Sequence, residues 1–427
     1  SGYFFHRKNR QEDYFVKKYL SMRPQLLLLL LFVILCTPLQ AEVRLHSLFG
    51  NHMVLQQRSS AMLRGTAEPG RQVVVRCSWE SNDRIVKTAE DGSWHIALDT
   101  PEASFEPQWI EVREENTIRL DDILIGEVWL CSGQSNMEMP MRGFPSQPVE
   151  GAAAEIAASL KYKGLRLFTV GRCCADTPQS GCRGVWSQAT PRQVANFSAV
   201  AYLFGRRLTE TLDVPVGLIV SSYGGSRIES WMDAETIAKF DPKDYIAHAD
   251  KPYRDPCKLY NGMIEPLTGY AVRGVVWLQG ESNRRNAHVY APMLRELMAL
   301  WRRKQAQPEL PFIVCQIAPC PYHGEGKLGG ARLIEAQIKA TDADSHAWMV
   351  GTSDIGDEHL GHYPKKDEVA ERVFYSALVN VYGIEGLPAS GPTVSRVDYI
   401  EGGAIVHFDH AERGLNPLNR PITGFEL

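Results

Sequence analysis

The chain has 427 residues, 44% of them hydrophobic and 22% charged, a globular composition with more length than one typical domain uses, so two or three domains are expected. Its formal net charge is −4 and no basic patch stands out, which argues against nucleic acid as a partner. None of the nine cysteines has zinc-ligand spacing with histidines nearby, so no metal site is expected.

Taken in order, Met22-Arg23-Pro24 precedes an apolar run from Leu26 to Leu35 and then Cys36-Thr37-Pro38-Leu39-Gln40-Ala41. A basic start, a short apolar core and a small residue at the cut form a secretory signal, too short to span a bilayer comfortably. Residues 1–21 lie upstream of Met22 and are set aside, and the mature chain is expected to begin near Glu42. Lipidation at Cys36 fits poorly because Leu35 is bulky where a small residue is needed, so no stable membrane insertion is expected after cleavage. A secreted or periplasmic location follows. Removing residues 1–41 takes six Lys/Arg and two Asp/Glu from totals of 46 and 50, leaving a net charge of about −8. The eight remaining cysteines would meet an oxidising compartment, where bridges are allowed but spacing does not fix their connectivity.

From Glu42 to Asp121 short β-like runs (Met53-Val54-Leu55, Ala61–Gly65, Gln72–Cys77, Trp94–Leu98) are broken by Pro/Gly turns, the pattern of a small antiparallel β-sandwich over 42–121. From 122 to 390 the texture changes. Apolar runs at Ile123–Cys131, Leu165–Val170, Val214–Ser221, Val272–Leu278, Phe312–Ile317 and Ala347–Gly351 alternate with helical stretches at Val149–Leu160, Ser198–Thr211, Ala234–Phe240, Tyr290–Lys304 and Asp367–Val381. Buried strands separated by helices imply an α/β fold, a parallel sheet flanked by helices, with its ligand crevice beyond the carboxyl ends of the strands. Strand-like texture returns over 391–427, where the chain stops at Gly424-Phe425-Glu426-Leu427 as the start of a truncated β module.

Four segments at such strand ends carry chemistry. In Gly126–Met141 an apolar strand stops at Ser132-Gly133-Gln134 and delivers Ser135, a hydroxyl placed to act as a nucleophile. After Gly217–Ser222 come Gly224 and Gly225, whose backbone can approach a ligand oxygen closely. Trp277-Leu278 leads into Gln279-Gly280-Glu281-Ser282-Asn283, where Gln279 or Asn283 could donate to a developing negative charge without a proton equilibrium. The polar run 350–364 places a histidine just before a helix and after carboxylates, where a general base and its orienting partner can sit. Each segment alone also reads as an ordinary turn or cap. The order of serine early and histidine late, both at sheet ends, favours chemistry.

These segments resemble the sialate O-acetylesterase family within the SGNH-type (GDSL-like) hydrolases, which cleave acetyl esters from sugars. The resemblance rests on GQSNM at 133–137, SYGGSRIESWM at 222–232, LYNGMIEPL at 259–267, WLQGESN at 277–283 and DIGDEHLGHYPKKDEV at 354–369. It extends over about 42–427, including the FGNHMVLQ opening at 49–56. It implies an SGNH-hydrolase-like sheet, Ser135 as nucleophile and His362 as base, with the backbone N–H groups of Ser135 and Gly225, and Gln279, as oxyanion donors. Asn261 and Glu281 match motif positions that shape the pocket, and Trp231 is read as core. One departure stands out: many SGNH hydrolases have Asp three residues before the histidine, where this chain has His359, and relatives reading DIH differ at Leu360. The third triad member is open among Asp354, Asp357 and a backbone carbonyl in a Ser-His dyad.

The expected reaction is therefore hydrolysis of an O-acetylated sialic acid through an acetyl-serine, with no metal or organic cofactor. Two alternatives are an acetylxylan or other polysaccharide acetylesterase, and a non-catalytic carbohydrate-binding protein on a hydrolase scaffold.

Overall fold

The computed structural model describes residues 42–245, 251–318, 320, 328–357, 359–411 and 414–415. The signal sequence and the last strand-like residues fall outside them. The strands are β1 (Arg44–Leu45), β2 (Val54–Gln56), β3 (Ser60–Thr66), β4 (Gln72–Cys77), β5 (Arg84–Lys87), β6 (Ser93–Asp99), β7 (Ser104–Arg113), β8 (Thr117–Gly133), β9 (Leu165–Thr169), β10 (Trp186–Gln188), β11 (Val216–Ser222), β12 (Gly274–Leu278), β13 (Phe312–Cys315), β14 (Ala347–Val350), β15 (Thr393–Ile400) and β16 (Gly403–Asp409). The helices used below are α1 (Ser135–Glu138), α2 (Ala199–Leu212), α3 (Ala287–Gln305), α4 (Gly329–Asp342) and α5 (Lys366–Asn380). Among the described residues no helix is long and apolar enough to cross a membrane.

β8 is the spine of the molecule, 17 residues in one strand. Its first half pairs antiparallel with β7, and β7 continues through β4 to β5. A separate sheet of β1, β3 and β6 shares one apolar core with it through Leu63, Trp94, Val73, Val75 and Ile110. The second half of β8 lies between parallel β11 and β12. The order across the sheet is β10-β9-β11-β8-β12-β13-β14, parallel except for β10. Burial along β8 records the change: its first residues alternate between exposed and partly or, at Leu120, fully buried, and from Ile123 to Gly133 every residue is buried. A strand covered on both faces must be apolar throughout, whereas a sandwich strand needs only alternate apolar residues. The change of texture after residue 121 thus falls inside one strand, not in a linker. Asp122 marks it with φ +54°, its carboxylate held by His52 at 2.6 Å and by Arg166 at 3.0 Å.

The helices pack as the sequence pattern predicts. α2 buries Tyr202, Leu203, Phe204 and Leu208, and α5 buries Val369, Val373 and Ala377. α3 begins three residues earlier than expected, and α4 was not expected at all. β15 and β16 form an antiparallel hairpin.

β8 sits at the switch point of the sheet. The chain leaves it for β9 and β11 on one side and returns for β12 to β14 on the other, so a crevice opens beyond its carboxyl end.

Candidate active site

Gly133 closes β8 with φ +143°, and a Cβ there would come 2.0 Å from the Leu278 carbonyl oxygen of β12. Only glycine permits this turn. The Gln134 N–H then donates to that carbonyl at 3.0 Å, and the chain enters α1 with Ser135 as its first residue. Within α1 the N–H groups of Met137 and Glu138 donate to the Gln134 carbonyl. The Ser135 N–H, one turn too early, has no such partner among the described residues.

His362 reaches this point from the loop before α5. Its Nε2 lies 2.7 Å from Ser135 Oγ. Behind it, Nδ1 lies 2.5 Å from the Oε1 of Gln147. An amide oxygen only accepts, so Nδ1 carries the ring proton and Nε2 is free to take one from the Ser135 hydroxyl. Burial holds the imidazole below its ordinary pKa, and the Lys366 cation lowers it further. The edge of Phe144 meets the ring at a centroid distance of 5.3 Å. The orienting partner is thus a neutral amide, and neither expected carboxylate takes that place. Asp354 pairs with Arg372 through two hydrogen bonds at 2.7 and 2.6 Å. Asp357 accepts from the backbone N–H groups of His359 and Leu360 at 2.7 and 2.9 Å, folding the loop that carries His362 without touching its ring.

Two other expectations are corrected. The side chain of Gln279 is fully buried. Its Nε2 donates to Asn283 Oδ1 at 2.8 Å, Ser226 O at 3.1 Å and Gln134 Oε1 at 3.2 Å, while its Oε1 accepts from the Tyr290 hydroxyl at 2.9 Å. Asn283 is equally occupied: its Oδ1 accepts from the Ile228 N–H at 3.0 Å and its Nδ2 donates to Glu229 at 2.8 Å. Both amides brace the floor behind the site: the Gln279 N–H groups are taken, and Asn283 is turned toward Glu229 and Ile228. Asn261 donates to the carbonyls of Ala175 and Asp176 at 3.2 and 3.1 Å, fixing a flanking loop. Trp231 is core, its Nε1 donating to Ser226 Oγ at 3.0 Å.

Gly225 does stand where the sequence put it. With φ +74° it turns beside Gly224, where a Cβ would meet the Cβ of Ser135 at 3.5 Å. The Gly224 N–H donates to Glu138 Oε2 at 2.8 Å, which ties this turn to α1. The Gly225 N–H makes no hydrogen bond among the described residues.

Glu281 accepts from Asn136 Nδ2 at 2.8 Å, and its other oxygen is buried without a hydrogen-bond partner among the described residues. Asn136 also donates to the Gly361 carbonyl at 3.1 Å and accepts from Lys366 Nζ at 2.6 Å. One amide therefore joins the serine turn, the histidine loop and α5. Lys366 is fully buried over the Tyr363 ring at 3.7 Å. Burial pushes its pKa down to about 7 against the opposing pull of Glu281. Its place was legible, since it lies three and seven residues before Val369 and Val373 on the apolar stripe of α5. Gln147 lies in a short Pro-flanked loop with no periodic or motif signal.

A hydroxyl paired with an oriented imidazole at the carboxyl edge of a parallel sheet, beside backbone N–H groups that have no partner among the described residues, defines a hydrolase-type site. The chain belongs to the family described as carbohydrate esterase, sialic acid-specific acetylesterase, whose model matches residues 125–369, and it is a carboxylic ester hydrolase. It is 29% identical over 409 residues to the sialate O-acetylesterase of Homo sapiens, covering 87% of this chain and 77% of that protein. It is also 29% identical over 432 residues to the Rattus norvegicus sialate O-acetylesterase, covering 86% and 79%. Among solved structures, a carbohydrate acetylesterase from Xanthomonas citri matches with a TM-score of 0.78 and 30% identity, covering 86% of this chain and 82% of that one.

Proposed function

We propose that the protein removes O-acetyl groups from sialic acids through an acetyl-Ser135 intermediate. The observation that carries this reading is the 2.7 Å contact between Ser135 Oγ and His362 Nε2, within a family described as sialic acid-specific. His362 takes the hydroxyl proton as Ser135 attacks the acetyl carbonyl. The oxyanion is received by the N–H groups of Ser135 and Gly225, which meet a developing charge without reorganising. His362 then protonates the departing sugar oxygen. Water, deprotonated by the same imidazole, attacks the acetyl ester, and acetate leaves with Ser135 restored. Gln147 keeps the tautomer correct throughout but brings no charge to balance the imidazolium.

The test is acetate release from O-acetylated sialic acid against acetylated xylan. Faster release from the sialic acid supports the reading; xylan as the better substrate would reassign the protein to polysaccharide deacetylation. We also propose export, supported by the apolar run 26–35 and the small residue Ala41. Amino-terminal sequencing of secreted protein should begin near Glu42, and retention of residues 22–41 would refute it.

A further inference from the structure

The turn that carries Gly225 is flanked by a cationic aromatic shelf that the reaction above does not use. The rings of Tyr223 and Tyr253 stack with centroids 4.7 Å apart and planes 14° from parallel. Arg172 lies over Tyr223, 4.7 Å from its centroid, and Arg254 flanks Tyr253. The two arginines differ in how their charge is met. Arg172 is paired with Glu138 at 2.6 Å and so is neutralised. Arg254 donates from Nε to the Gly225 carbonyl at 3.0 Å, and among the described residues neither of its Nη groups has a hydrogen-bond partner. Asp255, next in the chain, has an interaction of its own.

Position makes this relevant to the substrate. A Cβ on Gly225 would come 3.4 Å from the Tyr253 ring and 3.7 Å from Arg254 Nη2, and one on Gly224 would come 3.5 Å from the Cβ of Ser135. The guanidinium therefore sits one glycine step from the residue touching the reactive serine. Tyr253 and Arg254 are both partly exposed. A guanidinium anchored through Nε keeps a fork of N–H donors whose geometry matches a carboxylate. The neighbouring Tyr253, stacked on Tyr223 and partly exposed, adds apolar aromatic surface against which a sugar can pack.

We propose that Arg254 is the specificity-determining residue for a carboxylate-bearing sugar, pairing with the substrate carboxylate while the sugar packs on Tyr253. This rests on the sialic acid reading of the same site. It accounts for how a pocket built on a neutral Ser-His-Gln arrangement distinguishes an acidic sugar from a neutral one.

The test compares two substrates that differ only at the carboxylate: an O-acetylated sialic acid and the same sugar with that group converted to the neutral carboxamide. Acetate release is followed for wild type, Arg254→Ala and Arg254→Lys. Because Arg254 also holds Gly225, the absolute rates of both variants fall; the ratio of kcat/KM for acid over carboxamide cancels that loss. Wild type should favour the acid by roughly tenfold to hundredfold, the size of a hydrogen-bonded charge contact. Arg254→Ala should bring the ratio near one and Arg254→Lys should keep part of it. A ratio that survives in Arg254→Ala, or a wild type that releases acetate equally from both, overturns the assignment and leaves the sialic acid reading standing. A wild type that releases acetate from acetylated xylan but from neither sialic acid sinks that reading, and this inference with it.

Discussion

The two ends of the parallel stretch of β8, Glu127 to Gly133, both carry buried polar groups, and they are built for opposite tasks. At the amino end Glu127 is almost fully buried. One oxygen accepts from Gln57 at 2.6 Å and Gln56 at 3.3 Å, and the other accepts from the Tyr382 hydroxyl at 2.9 Å with Arg273 3.6 Å away. Cavities of about 530 and 330 Å³ open beside this cluster. At the carboxyl end the N–H groups of Ser135 and Gly225 make no hydrogen bond among the described residues, and one Glu281 oxygen is buried without a hydrogen-bond partner among them. Saturation separates the two glutamates: both oxygens of Glu127 accept hydrogen bonds, whereas one oxygen of Glu281 has no hydrogen-bond partner among the described residues.

That contrast breaks first at His362. His362→Ala should lower acetate release from an aryl acetate by roughly 10²- to 10⁴-fold, the range of a positioned general base; a loss below tenfold would detach the imidazole from the chemistry. Gln147 sharpens it. Gln147→Ala should lower kcat by roughly tenfold to hundredfold with little change in KM, because the hydrogen bond it makes strengthens as the ring becomes charged. Gln147→Glu works through pH. In wild type the imidazole is depressed below 6.5, so the activity lost on acidification should be lost below pH 6.5. A carboxylate at position 147 favours the imidazolium and raises that pKa, so the acid limb should move to higher pH. A pH profile unchanged in the Glu variant would contradict the contact.

At the amino end the expected effects are on stability. Glu127→Gln replaces one accepting oxygen by an N–H₂ facing existing donors, and should cost about 1–3 kcal/mol in denaturant unfolding with kcat unchanged. A loss of kcat larger than the loss of stability explains would mean that the two ends are coupled. The smallest effect belongs to Asp354→Asn. Its ion pair with Arg372 is largely exposed, so the variant should lose no more than about 1 kcal/mol and keep its pH profile. A collapse of activity would restore Asp354 as the acid partner.

The strand and helix alternation, the Ser135 turn and His362 were legible because each is a local pattern: an apolar run of set length, a break at small residues, a polar loop before an amphipathic helix. Lys366 was missed, because the helix was expected to begin one residue later, at Asp367, although the spacing to Val369 and Val373 carried the signal. Other features depend on contacts that no window of sequence contains. Gln279 and Asn283 have the chemistry of oxyanion donors, and only the positions of Ser226, Tyr290, Glu229 and Ile228 reveal that both are engaged in bracing the floor. Asp354 and Asp357 lie close to His362 in sequence, whereas Gln147 is 215 residues away and meets it through the fold. The boundary after residue 121 was visible as a change of texture, yet continuous strand pairing runs through it.

The most direct test is rapid quenching of wild-type enzyme during turnover of an aryl acetate, followed by peptide mass spectrometry. An acetyl group on Ser135, absent from Ser135→Ala, is the predicted result. Acetate release with Ser135 unmodified and the label on another residue, or with full activity retained in Ser135→Ala, would contradict it.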